Sequence, residues 1–151
     1  MLTLKDKQAK IVAVNPRKEM HGDQKVDAMT FYLDCDLAPH ALEGIAPGMM
    51  AAFFLSAEDQ RPRFPGLKAT IDGEHGVALR IRGPAGEDLN LTSSTTLDGV
   101  ALEPGEGTVK AHIKVNCHPS RDEMGVLCGL LRLEVVVDLG SIQMELGEGG
   151  T

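Results

Sequence analysis

The chain has 151 residues, the length of one ordinary domain, and 42% of them are hydrophobic, enough to bury a core without a second domain. Fifteen basic residues stand against 22 acidic ones, and a formal charge of −7 disfavours nucleic-acid binding by the whole surface, because duplex contacts depend on neutralising phosphate. Three cysteines, no secretory-type leader and no apolar run of membrane-spanning length lead to the expectation of a cytoplasmic protein with reduced thiols, and a 3% aromatic content with no Trp argues against base-stacking platforms.

Ala9 to Asn15 reads as the first strand, and the polar stretch Pro16 to Asp23 as a loop. The second strand has the clearest alternation. Met29, Phe31, Leu33, Cys35 and Leu37 share one face and Thr30, Tyr32, Asp34 and Asp36 the other, which predicts a sheet with one wet side. Pro39 suits the first position of a helical turn over about 39–45 that buries Leu42 and Ile45 before Pro47 and Gly48 end it. Met49 to Leu55 reads as a third, continuously apolar strand, and Ser56 to Gly66, with Pro62 and Pro65, as the longest irregular stretch. Leu67 to Asp72 and Val77 to Arg82 are expected to pair as a hairpin around Gly73 to Gly76. Short strands follow near Leu89 and around Val100 to Leu102.

The C-terminal third is the most explicit. Val109, Ala111, Ile113 and Val115 alternate with Lys110, His112, Lys114 and Asn116, a half-buried strand. Ser120 stands three residues before Glu123, the spacing of a capping box. Met124, Leu127, Cys128 and Leu131 then form one apolar stripe of a helix over about 120–131. Alternation resumes with Leu133, Val135 and Val137 inward, a turn at Gly140, and Ile142, Met144 and Leu146 inward; Gly147 to Thr151 should fray. About nine short strands with Gly and Pro between them predict one mainly β domain over residues 1–151, an antiparallel β-sandwich or flattened barrel. The alternative is an α+β fold with the Ser120 helix packed across one sheet.

Val115-Asn116-Cys117-His118-Pro119 and Gly125-Val126-Leu127-Cys128-Gly129-Leu130, with Asn15-Pro16-Arg17, His21-Gly22-Asp23 and Pro47-Gly48, carry a resemblance. In these segments the chain resembles a family of small uncharacterised proteins of tailed bacteriophages and prophages. The resemblance implies a bacterial host cytoplasm and an accessory role in recombination, replication or host takeover. It implies no activity. It is weakest over Ser56 to Thr96.

Three constellations could carry chemistry. Cys117, His118 and Cys128 are the one cluster that suggests a metal, but zinc sites draw on close ligand pairs that one turn can present together, and adjacent residues diverge. We expect packed thiols, no structural zinc and no disulfide among Cys35, Cys117 and Cys128. His21 and Asp23 flank Gly22 as an acid/base pair would, although a tight turn with Gly22 at positive φ explains the same residues. No G-x-S-x-G, P-loop, G-x-G-x-x-G or H-E-x-x-H is present, so no catalytic, cofactor or metal residues are assigned and a non-enzymatic role is expected. Lastly, Arg61, Arg63, Lys68, Arg80 and Arg82 stand against only Asp72 and Glu74 in their segment. If they form one patch, arginine's planar fork suits carboxylates or phosphates; the plainer reading is a solvated sheet face.

The expected function is therefore that of an accessory protein binding a host or phage macromolecule, most simply a protein, through a sheet face or the Ser56 to Gly66 loop. The rivals are a virion component of tail or head, and a recombination accessory that holds nucleic acid through the basic patch. A homo-oligomer is compatible with either, and a membrane partner is not expected.

Overall fold

The computed structural model describes residues 1–92 and 95–142. Its elements are β1 (Leu4–His21), β2 (Gln24–Leu37), α1 (Ala41–Ile45), α2 (Met49–Phe53), β3 (Ala69–His75), β4 (Val77–Arg82), β5 (Asp88–Asn90), β6 (Thr96–Gly105), β7 (Thr108–Cys117), α3 (Arg121–Gly129) and β8 (Glu134–Ser141). The alternation of Met29 to Leu37 does what its period requires: all five apolar residues are buried in the core, while Asp34 and Asp36 face solvent. β7 lies antiparallel to β2 with Phe31 opposite Val115 and Leu33 opposite Ile113, so the two apolar faces make one surface.

Mainly antiparallel β structure results, in one eight-stranded sheet of order β3-β6-β7-β2-β1-β8-β4-β5 that does not close into a barrel. β3 stands at one end of that order and β4 next to the other, yet only Gly76 separates His75 from Val77. The sheet therefore curls until its ends meet at this corner. Gly76 takes a φ of 66°, and Val77 N donates to Thr95 O at 3.3 Å. Side chains of both halves share one core, Phe31, Val100 and Ile113 with Leu79, Ile81 and Val137. α3 closes one end, with Leu127 and Leu130 fully buried. Among the described residues no helix is long and apolar enough to cross a membrane.

Several sequence expectations need correction. Pro16 to His21 is strand, not loop: β1 continues in register with β2 from Pro16 opposite Met29 to His21 opposite Gln24, and the turn shrinks to Gly22 and Asp23. Among the described residues, β1 has only β2 as a ladder partner here, and an edge tolerates a residue without an N–H. Met49–Phe53 is helical, because a short apolar run is compatible with either state and Glu43 decides it: its carboxylate accepts from Gly48 N at 3.0 Å and Met50 N at 3.1 Å. β3 and β4 do not pair as a hairpin; β3 pairs with β6, and β4 with β5 and β8.

The capping box of α3 forms in both directions, Glu123 N to Ser120 Oγ at 3.2 Å and Ser120 N to Glu123 Oε1 at 2.9 Å. The helix stops at Gly129, two residues short of the expected stripe, so Leu130 takes the second buried position, Leu131 is half-buried and Cys128 is exposed. Leu133 is 41% exposed rather than inward. β8 passes straight through Gly140 to Ser141 instead of turning there. Met144, Leu146 and the tail from Gly147 to Thr151 lie outside the described residues.

Candidate functional site

The extension of β1 to His21 creates a concentrated polar group on the sheet. Residues two apart on a strand point the same way, so Arg17, Glu19 and His21 share the wet face. β7 ends at Cys117, whose thiol turns inward and donates to Met29 O at 3.7 Å; the next residue, His118, faces outward. His118 Nε2 lies 2.8 Å and His21 Nε2 3.5 Å from the same atom, Glu19 Oε1. The two rings meet edge to face with centroids 5.2 Å apart. Arg17 holds the other carboxylate oxygen, with Nε and Nη2 3.1 and 2.9 Å from Glu19 Oε2. His118 and Arg17 together hold the Glu19 carboxyl well below the usual range, at about 2, so it stays ionised at neutral pH.

A chain of polar contacts leads away from this group across the sheet. Arg17 also donates to Thr30 Oγ1, and Thr30 donates to Asn116 Oδ1. Lys114 stands 2.9 Å from Asp98 and depresses that carboxyl's pKa. Farther along, Tyr32 stacks on His112, which hydrogen-bonds Asp34. The wet face is thus cross-linked across β1, β2, β6 and β7.

The opposite end of the same strands carries a different feature. The loop after α2 is tied down by its own backbone: Arg63 N donates to Phe53 O at 2.8 Å, Leu55 N to Arg61 O at 3.2 Å, and Gly107 N to Gln60 O at 2.9 Å. Arg63 reinforces it by donating to three carbonyls, Ala51, Phe54 and Leu55. This fixed loop presents Phe64 at 58% and Leu55 at 42% exposure. Exposed apolar side chains on a loop held by hydrogen bonds are the kind of anchor that protein interfaces use, since a tethered loop has less conformational freedom to lose on docking.

The five basic residues are spread over separate surroundings. Arg61 is forked onto Asp59 at 2.8 and 2.6 Å, and Arg63 is committed to the loop carbonyls. Lys68 borders a hollow with Asp36, Glu103 and Lys110, at the β3 end of the strand order. Arg80 and Arg82 share the wet face of β4 and line an open cleft beside Thr3 to Asp6, where Arg80 pairs with Asp88 at 2.6 Å and Arg82 with Asp6 and Asp138 at 2.7 and 2.8 Å. The structure brings Arg80 and Arg82 together, gives Arg61 and Arg63 different partners within one loop, and gives Lys68 no strand pairing with β4.

Compared with protein-family models, curated proteins and solved structures, the chain matches none of them.

In the sequence His21 and His118 fall in two unrelated constellations. In the structure they belong to one group, joined by Glu19, which no sequence motif singles out. His21 turns to Glu19 and His118 rather than forming the acid/base pair with Asp23. The available signal was the period-two spacing of Arg17, Glu19 and His21, hidden by taking Pro16 as the start of a loop. Cys117 is buried at the end of β7 while His118, the next residue, faces outward, and Cys128 is exposed on α3.

Proposed function

We propose that this chain is a non-enzymatic accessory protein, of the phage or prophage kind that its sequence resembles, and that it works by docking a protein partner through the loop between Leu55 and Gly66. The observation that supports the reading is the exposure of Phe64 and Leu55 on a loop held by Arg63 and by backbone bonds to Phe53 and Gly107. The loop's own charges, Glu58 and Asp59 against Arg61 and Arg63, balance, so the partner it fits offers an apolar pocket rather than a charged surface. Fixed aromatic anchors of this type carry a large share of binding energy in protein interfaces.

The pairing of Arg61, Arg80 and Arg82 with carboxylates favours this reading over one in which the basic residues hold nucleic acid, because a paired guanidinium must leave its acid before it can neutralise a phosphate. The test is affinity capture from a bacterial host with wild type, Phe64→Asp and the double variant Arg80→Glu/Arg82→Glu, followed by reconstitution with the purified captured protein. Phe64→Asp should weaken binding about tenfold or more while the arginine reversals leave it unchanged. Binding insensitive to Phe64 and lost with the arginines would reverse the assignment.

A further inference from the structure

We propose that Glu19, His21 and His118 bind one divalent transition-metal ion of the zinc type, which fastens the β1–β2 hairpin to the turn after β7. The donor atoms, Glu19 Oε1 and a ring nitrogen of each histidine, all lie within 4.8 Å of one another. A tetrahedral zinc with bonds of 2.0–2.2 Å sets its ligands about 3.3–3.6 Å apart; the His21 Nε2 to Glu19 Oε1 separation of 3.5 Å falls in that range, and the His118 separation of 2.8 Å reaches it by a small side-chain shift. Both Nε2 atoms already aim at one oxygen. Carrying the ring protons on Nδ1 turns the same two lone pairs toward a shared ion, so the metal replaces hydrogen-bonded protons without rebuilding the backbone.

Backbone and neighbours both support the arrangement. Glu19 and His21 are two apart on a strand, about 6.6 Å between Cα positions on one face, a span that two chelating side chains close readily. His118 supplies the third ligand from across the sheet. Arg17 grips Oε2 from the other side, which orients the carboxylate as outer-shell partners do and leaves Oε1 for the ion. Two imidazoles and one carboxylate suit zinc, cobalt or nickel, whereas calcium and magnesium take oxygen ligands. All three side chains are partly open to solvent, so the ion can enter and keep a water in its fourth position.

The site stands at the opposite pole of β7 from the Phe64 loop and does not depend on the docking reading. The test titrates Zn²⁺ into the full, tag-free chain by calorimetry at about pH 7.5, since protons compete with the metal at lower pH, with Co²⁺ absorption reporting the geometry. One ion per chain should bind. Removing outer-shell partners alone typically costs 10–100-fold in affinity, so His21→Ala, His118→Ala and Glu19→Gln should each cost about tenfold or more. Cys128→Ser should leave binding unchanged. Zn²⁺ should raise the melting temperature of wild type but not of the three ligand variants, whose folding is verified by their metal-free melts. No saturable binding, binding that survives all three substitutions, or binding lost with Cys128→Ser would each overturn the assignment.

Discussion

His118 Nε2 stands 2.8 Å from Glu19 Oε1 across a separation of 99 residues, and this contact joins the end of β7 to the hairpin of β1 and β2. It is also the first cause of the depressed Glu19 pKa.

The Glu19 carboxyl should titrate near 2 in carbon-detected NMR, and His118→Ala should move it back toward the ordinary value of 4.5. A folded-state pKa below the unfolded one adds stability that is present above the unfolded value and lost as pH falls through the folded one. The Glu19 contribution is therefore complete at neutral pH and disappears between about 4.5 and about 2. Glu19→Gln should flatten the acid side of the stability curve in that window; an unchanged curve would contradict the assigned contact.

Leu127→Ala should cost about 2–5 kcal/mol in urea unfolding, since a fully buried side chain leaves a cavity. Leu131→Ala should cost clearly less, because that residue is only half-buried beyond the helix end. Ser120→Ala should cost about 1 kcal/mol through loss of the cap. Equal costs for Leu127 and Leu131 would place the helix end wrongly.

Native-state thiol labelling should modify Cys128 alone. Burial pushes the Cys35 thiol up to about 11 and the Cys117 thiol up to about 12, so neither offers thiolate at neutral pH, whereas Cys128 is exposed. All three should label after denaturation. Fast labelling of Cys117 in the native protein would mean that β7 does not turn it inward.

Gly73→Ala should destabilise by about 1–3 kcal/mol or break the β3–β6 ladder, because an added Cβ would lie 2.0 Å from Leu97 O and backbone cannot yield as a flexible side chain does. Gly44→Ala is the control, in a helix with nothing within 4 Å of the new atom, and should be neutral or mildly stabilising. Circular dichroism melts distinguish the two.

Much of this fold is legible locally, and the exceptions have physical causes. Met29 to Leu37 and Val109 to Val115 announce their buried faces because burial on one side enforces period two. Ser120 and Glu123 announce a helix start because the cap is a contact three residues long. The Met49–Phe53 helix is not legible in this way, since its first turn is held by Glu43 from the preceding helix. Nor is the fate of β3 and β4: Gly73 to Gly76 looks like a hairpin turn, and only the curl of the whole sheet sends the two strands to different partners. The Glu19 group stayed hidden for the same reason, as His118 reaches it only through the register of β1, β2 and β7.

The docking reading is tested most directly by hydrogen–deuterium exchange on the reconstituted complex with the captured partner. Backbone amides from Leu55 to Gly66 should gain protection on binding, while those around Arg80 and Arg82 and around His21 and His118 keep the exchange rates of the free protein. Protection confined to the Arg80 and Arg82 strand or to the histidine pole, with the Phe64 loop unchanged, would contradict the account.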